Sequence, residues 1–374
     1  MTVMSDIGAS GHEGLRQSVI LQFTPNWFAA AMGTGVVAAV LAQHPAGSVP
    51  HMLGFALWLG DAVLFFCFSL AYGLKWMLYP RQAASIFRHP VMSMFLGCIP
   101  MALATVGNGF LLYGQGPWGE RAVDIAFWIW CLDVLLAFAV AIGVPFAMFT
   151  RQSHRLEDMS AVWLLPVVAA GVATVSGALL LPHLASPEMQ MQVLILSLLL
   201  WSLSLPLALG ILVILFLRLV LHKLPPAGMA ATAWLALGPI GTGSLGLLLL
   251  YSFGPEVLTA NGLGAIAPAF GGAALLGGIL LWGYGCWWLP MAIAITLHFI
   301  RRGMGFNLGW WGFTFPLGVF VLATQKMAAL LALPVLGHVG EGLSACLVCI
   351  WLLVGCRTLI GAVNRSLFVD PCLM

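Results

Sequence analysis

The side chains available for chemistry are few. Among 374 residues there are 14 Lys and Arg, 12 Asp and Glu and nine His. Three of these stand inside long apolar runs: Asp61, Asp133 and Lys326. A charge at membrane depth is costly to keep, so each such residue marks an ion or proton path by default. The two acids read as structural, capping or pairing with neighbours, and so does Asp124 near the end of its run. Lys326 has three readings that the sequence leaves open: drawing anions to a pore mouth, snorkelling to an interface, or pairing with an Asp. Metal and redox chemistry has less support. The His residues are scattered, and the C-x-x-C of Cys346 and Cys349 has no His or carboxylate companion. The cysteines read instead as small buried packing residues. A membrane-embedded enzyme needs clustered ligands near one interface, so an enzyme is disfavoured and no metal or cofactor is expected.

A second chemistry lies in backbone and hydroxyl groups. Alternate apolar runs combine Pro, Gly and hydroxyl or amide residues: Pro25, Asn26, Gly33 and Thr34; Pro100, Thr105 and Asn108; Pro166, Thr174 and Ser176; Pro239, Thr242 and Ser244; Thr314, Pro316 and Thr324. Proline removes a backbone donor and bends a helix, freeing polar groups that lipid cannot satisfy. Such helices belong against protein or water. The pattern predicts an inner ring of five bent odd-numbered spans around a path, with the even spans as a lipid-facing shell. The competing reading is that Gly and Pro are common in membrane helices and serve packing alone. A path lined by Asn26, Gly33, Thr34, Thr105, Asn108, Ser176, Thr242, Ser244 and Thr314, with Lys326 as its fixed charge, suits anions. Acidic rings mark cation paths, and freed N–H groups favour negative charge. Arg88, beside His89 and Pro90, is a candidate for a cytoplasmic vestibule.

The elements that must hold these groups follow from composition. With 61% hydrophobic and 7% charged residues, against roughly 25% charged in soluble domains, the chain reads as an all-α polytopic membrane protein. Apolar runs near 22–42, 51–74, 92–113, 122–149, 161–182, 190–221, 228–252, 262–300, 308–333 and 341–362 give ten transmembrane helices. The eighth is too long for one straight helix, and its glycine pairs predict that its start is loop or that it is broken. Placing the N-terminus inside puts nearly all Lys and Arg on the cytoplasmic side, so both termini are expected in the cytoplasm of a multi-pass protein of the cell membrane. The expected organisation is a tail over 1–21, one transmembrane domain over 22–362 and a tail over 363–374. The first residues lack the apolar core of a signal peptide, and no basic patch suggests nucleic acid.

Four stretches carry a family resemblance: FTPNWFAAAMGTG from Phe23, RHPVMSMFLGCIPMALAT from Arg88, LGPIGTGSLG from Leu237 and WWGFTFPLG from Trp310. The chain resembles the tellurite-resistance/dicarboxylate transporter family, which includes slow anion channels, malate permeases and sulfite efflux pumps. The second and third stretches are most similar to the sulfite-pump branch. The resemblance implies five helical hairpins around a central pore, a homotrimer, and small inorganic or organic anions such as sulfite, malate, chloride, nitrate or tellurite as cargo. It also implies a pore-blocking Phe on the ninth helix. Phe313 and Phe315 both match, and Phe315 is favoured because it precedes the Pro316 bend.

Overall fold

The computed structural model describes residues 18–373, and no strand occurs among them. Ten helices follow the ten apolar runs. They are α1 Phe28–Leu41, α2 Val49–Leu78, α3 Cys98–Tyr113, α4 Glu120–Arg151 and α5 Leu165–Leu180. The second half comprises α6 Pro187–His222, α7 Leu237–Ala260, α8 Ala267–Ile300, α9 Phe315–Leu330 and α10 Pro334–Val363. Among the described residues, nine crossings are long and apolar enough to span a bilayer, and the apolar segment Pro25–Leu41 is shorter. In the eighth run, residues 262–266 lie outside the helix, and α8 then continues unbroken through its glycine pairs and Pro290.

Odd and even helices differ in build. Each odd helix is entered through a 3-10 segment at the same end of the bundle, here called the inner end: Pro25–Trp27, Met92–Gly97, Ala161–Leu164, Ala227–Ala236 and Leu308–Phe313. Except in α7, the α-helical part is only 14 or 16 residues. That is roughly 21–24 Å, short of a hydrocarbon core of about 30 Å. The 3-10 segments complete the crossing. Tight, irregular backbone at that depth must be enclosed by protein, and it is: the crossings of α5 and α7 are 94% buried, against 17–33% for the even helices.

Each odd helix packs against the next, and α9 closes on α1, so the five form a ring. Each even helix lies in the groove between two odd ones, from α2 on α1 and α3 round to α10 on α9 and α1. The expected inner ring and outer shell are therefore present. An even helix buries one narrow stripe. In α8, Gly271, Ala274, Gly278, Leu281, Gly285 and Trp288 follow steps of three and four, the spacing of a helix packed along a single seam. Leu276, Leu280 and Ile293, off that stripe, are exposed and offer lipid an apolar face.

Glycine sets how tightly the ring closes. A side chain at Gly35 would press on Thr105, at Gly97 on Leu165, at Gly246 on Thr174, at Gly241 on Val319 and at Gly318 on Val36, one contact for each of the five seams. Small residues are what let backbones approach without a hydrophobic driving force between helices. Gly33 belongs to this set. A Cβ there would strike Thr314 and Trp311, so Gly33 and Thr314 pack the seam between α1 and the start of α9.

Two expectations change. Only Cys98 is a buried cysteine; Cys67, Cys286, Cys346, Cys349 and Cys356 are exposed, because they sit on even helices off the buried stripe. Residues 364–373, expected as a tail, are folded onto the inner end. The Asp370 amide donates to Gln22 Oε1 at 2.7 Å, its carboxylate pairs with Lys75 at 2.5 Å, and Phe368 stacks on Trp27. Lys75 also donates to the Phe23 carbonyl at 2.8 Å, so this buried charge is paired and hydrogen-bonded. The expected tail over 1–21 lies mostly outside the described residues.

Candidate functional site: the odd-helix ring

Five indoles fix the two rings to each other. Trp58 Nε1 donates to the Val106 carbonyl at 3.0 Å, Trp130 to Ala173 at 2.9 Å and Trp201 to Gly243 at 3.2 Å. Trp282 donates to Thr324 Oγ1 at 2.9 Å, and Trp351 to Thr34 Oγ1 at 3.0 Å. Every even helix thus ties itself to the odd helix that follows it, with α10 tying back to α1. An indole has one donor and a large apolar body, which suits it to reach a carbonyl or a hydroxyl of a neighbouring helix without adding charge.

These ties redirect several expected path residues. Thr34 serves Trp351, Thr105 donates to Asp61 Oδ2 at 2.9 Å, and Ser244 donates to the Gly278 carbonyl at 2.8 Å. All three hydroxyls face the outer helices. Thr242 bonds the Gly238 carbonyl within its own helix and lies near Gly171 at the α5–α7 seam. Thr314 bonds the Trp311 carbonyl. Asn26 sits at the inner end, where its Oδ1 accepts from Thr24 at 2.6 Å.

What the odd helices turn inward is mostly apolar. In their outer halves, Ala39, Asn108, Leu179, Ser252 and Leu322 retain accessibility, one on each odd helix. Seven residues earlier, two turns toward the inner end on the same stripe, stand Met32, Met101, Val172, Leu245 and Phe315. Each of these five is buried, with at most 6% exposure. On this stripe each odd helix thus goes from a partly accessible residue in its outer half to a buried apolar one two turns further in. Gly238, buried on α7, has only Val168 near the position of a Cβ, at 3.9 Å, so open space remains there. Lys326 lies one turn beyond Leu322 on the same side of α9, half-buried, with its ammonium 5.5 Å from the Phe253 ring centroid. No acidic partner is recorded for it among the described residues.

The two candidate phenylalanines part company. Phe313 packs edge-on against Trp234 and Trp310, and it lines a 480 Å³ crevice with Thr296 and Val354, which belong to the outer helices α8 and α10. Phe315 opens the α-helical part of α9, on the side opposite Phe320 and Thr324, both of which meet Trp282.

At the inner end, Arg88 is exposed. His89 beside it accepts from the Val91 and Met92 amides through Nδ1 at 3.2 and 3.1 Å. Burial holds the His89 pKa below the usual imidazole value, against the opposing pull of Asp370. Burial, reinforced by the Asp370 carboxylate, lifts the Cys372 thiol to about 12. Both shifts favour the neutral form, so neither group favours adding charge at this end.

Two features escape a reading by motif. The tying tryptophans recur about every 70–80 residues, the mark of an internal repeat, but they lie on the even helices, outside the proline and glycine pattern of the odd ones. The residue three after each tie is buried and is in turn Asp61, Asp133, Ser204, Gly285 and Val354. Asp61 has its Thr105 bond, whereas neither carboxyl oxygen of Asp133 has a hydrogen-bond partner. The expected pairing thus holds for Asp61 and not for Asp133.

Comparison with known proteins places the ring in context. The chain is 35% identical over 355 residues to the sulfite efflux pump of Trichophyton rubrum, covering 93% of each chain. It is 30% identical over 357 residues to an uncharacterized transporter of Methanocaldococcus jannaschii, covering 95% of this chain and 99% of that one. With the malic acid transport protein of Schizosaccharomyces pombe it shares 23% identity over 333 residues, 85% and 74% of the two chains. The voltage-dependent anion channel family matches residues 22–359. Ten helices in two rings, the inner one entered through 3-10 segments and enclosed by the outer, thus belong to a multi-pass membrane protein of the voltage-dependent anion channel family.

Proposed function

We propose that this protein carries small anions along the axis of the odd-helix ring and that sulfite is its foremost cargo. The observation that carries the choice of cargo is the likeness to a sulfite efflux pump across 93% of both chains. Malate is the second reading, supported by the more distant malic acid transport relative. The protein sits in the cell membrane with both ends of the chain cytoplasmic. Support comes from Lys and Arg gathered in the connections at the inner end, among them Arg81, Arg151, Arg155, Lys223, Arg301 and Arg302. Arg88 and Asn26 stand at the inner mouth, and Lys326 draws anions to the outer one. The homotrimer is the family's expected assembly, and chemical crosslinking in native membranes tests it.

Phe315 is the gate in this reading. Its ring and the side chains of Met32, Met101 and Leu245 make an apolar constriction, where an anion must shed water without a replacement. Transport follows when the Phe315 ring turns aside. Asn108, Ser176 and Thr242 are the polar groups nearest the path, and the other hydroxyls brace the outer ring. In proteoliposomes loaded with sulfite, malate, nitrate or chloride, Phe315→Ala is expected to raise flux about tenfold over the native protein, the effect of removing an apolar gate. Phe313→Ala is expected to leave it within about twofold, because that ring packs outward. Equal fluxes from Phe315→Ala and the native protein would remove the gate assignment.

A further inference from the structure

Asp61 and Asp133 occupy the same place in successive repeats and meet different surroundings. Trp58 bonds the Val106 carbonyl, and Asp61, three residues on, accepts from Thr105, the residue just before Val106. Trp130 bonds the Ala173 carbonyl in the same way, but the residue before Ala173 is Val172, which has no donor to give Asp133. Asp133 is 1% exposed and both its oxygens are unpartnered.

Beside Asp133 is a cavity of about 10 Å³, close to the room one water needs. From α3 it is lined by Ala104, Gly107, Asn108 and Leu111, and from α5 by Ser176 and Leu180. No titratable or charged group therefore faces Asp133 from either neighbour. An ionised carboxylate here would be an uncompensated charge at membrane depth, far costlier than a neutral acid bonded to a water. The Asn108 side chain makes no hydrogen bond among the described residues and keeps part of its surface accessible, on the stripe that includes the outer half of the ring. The pocket thus abuts the path.

We propose that Asp133 is a proton-carrying site that exchanges with the path through a water held by Asn108 and Ser176, so that a proton accompanies the transported anion. The step is a reversible protonation: an O–H bond forms on the Asp133 carboxylate as hydronium gives up its proton, and the reverse releases it. No other reactant is needed. The inference rests on the anion-transport reading, and its test separates the two.

Current through the reconstituted protein is recorded with malate, whose dianion still carries one net negative charge when one proton accompanies it, under a tenfold proton gradient. The native protein is expected to show a reversal potential that moves with the proton gradient. Asp133→Asn is expected to lose that shift while still passing a measurable anion current, because the amide is neutral in every state. Asp61→Asn is expected to retain the shift. A native current indifferent to the proton gradient, or a shift that survives in Asp133→Asn, overturns the proposal. If no anion passes at all, the transport reading fails, and infrared spectroscopy then decides the site alone. A protonated-carboxyl band lost in Asp133→Asn and moved by deuterium exchange supports it; a band that does not exchange, or no such band, overturns it.

Discussion

The first two repeats of the ring show how one scaffold position becomes either a brace or a site. Asp61 and Asp133 each lie three residues beyond a tying tryptophan and each is turned toward an odd helix. Around Asp61 the space is filled: Thr105 donates to it, and a side chain at Gly35 would collide with both. Around Asp133 a donor is missing, since Val172 stands where Thr105 stands, and a cavity remains. A buried polar group that keeps a partner rigidifies its surroundings, whereas one without a partner stays available to water or a proton. Further round the ring the same position is Ser204, then Gly285, then Val354. Chemical capacity fades while the tie persists.

The largest expected contrast is in stability. Asp133→Leu removes an unsatisfied carboxyl, and the adjoining cavity takes part of the added volume. It is expected to stabilise the detergent-solubilised protein by about 1–3 kcal/mol, the desolvation penalty of such a group. Asp61→Leu loses the Thr105 bond and presses on Gly35, so it is expected to destabilise by about 1–3 kcal/mol. Thermal unfolding of the two variants checks the opposite signs. Shifts in the same direction would break the comparison. The gain in Asp133→Leu would come with lost proton coupling, since functional sites commonly hold groups that cost stability.

Much of this architecture was legible from residue types. Proline and glycine with hydroxyls in alternate runs, such as Pro239, Thr242 and Ser244 in the seventh, identified the helices that become the inner ring, because lipid cannot satisfy a bent helix. The direction of a side chain around its helix was harder to see. Thr34 and Ser244 looked like path residues, yet they face α10 and α8. Polarity tells that a group needs a partner, but not whether that partner is an anion, an indole or a carbonyl. Phe313 and Phe315 illustrate the same limit, since the 3-10 entry to α9 sets which ring packs outward. The vacant partner of Asp133 is invisible until Val172 is superposed on Thr105 through the tryptophan ties.

Exchanging those two residues is a finer test. Val172→Thr supplies the hydroxyl that Asp133 lacks and is expected to favour its ionised form. About 1 kcal/mol from one added hydrogen bond would move the midpoint of the proton-dependent current by under one pH unit toward acid. The sign follows from linkage, because a bond to the charged form lowers the pH at which a proton binds. Thr105→Val makes the opposite change at Asp61. It is expected to cost about 1 kcal/mol in unfolding experiments and to leave the current unaltered. A midpoint that moves toward alkaline pH in Val172→Thr would mean that the hydroxyl bonds the neutral acid instead.

The smallest effect is expected at the ties themselves, where the two regions should behave alike. Trp58→Phe and Trp130→Phe each keep an aromatic body in the groove but free one carbonyl, Val106 or Ala173. Each is expected to lose about 1 kcal/mol, the value of one neutral hydrogen bond, in matched thermal melts. Transport separates them if the tie also positions the acid. Trp130→Phe loosens the wall of the Asp133 cavity, which Trp130 itself lines, so its proton-dependent shift should weaken while its anion current persists. Trp58→Phe should alter neither, because Asp61 keeps its bond to Thr105. Equal stability losses with unequal proton coupling would show that the repeat supplies the scaffold and that the residue opposite the acid decides its role.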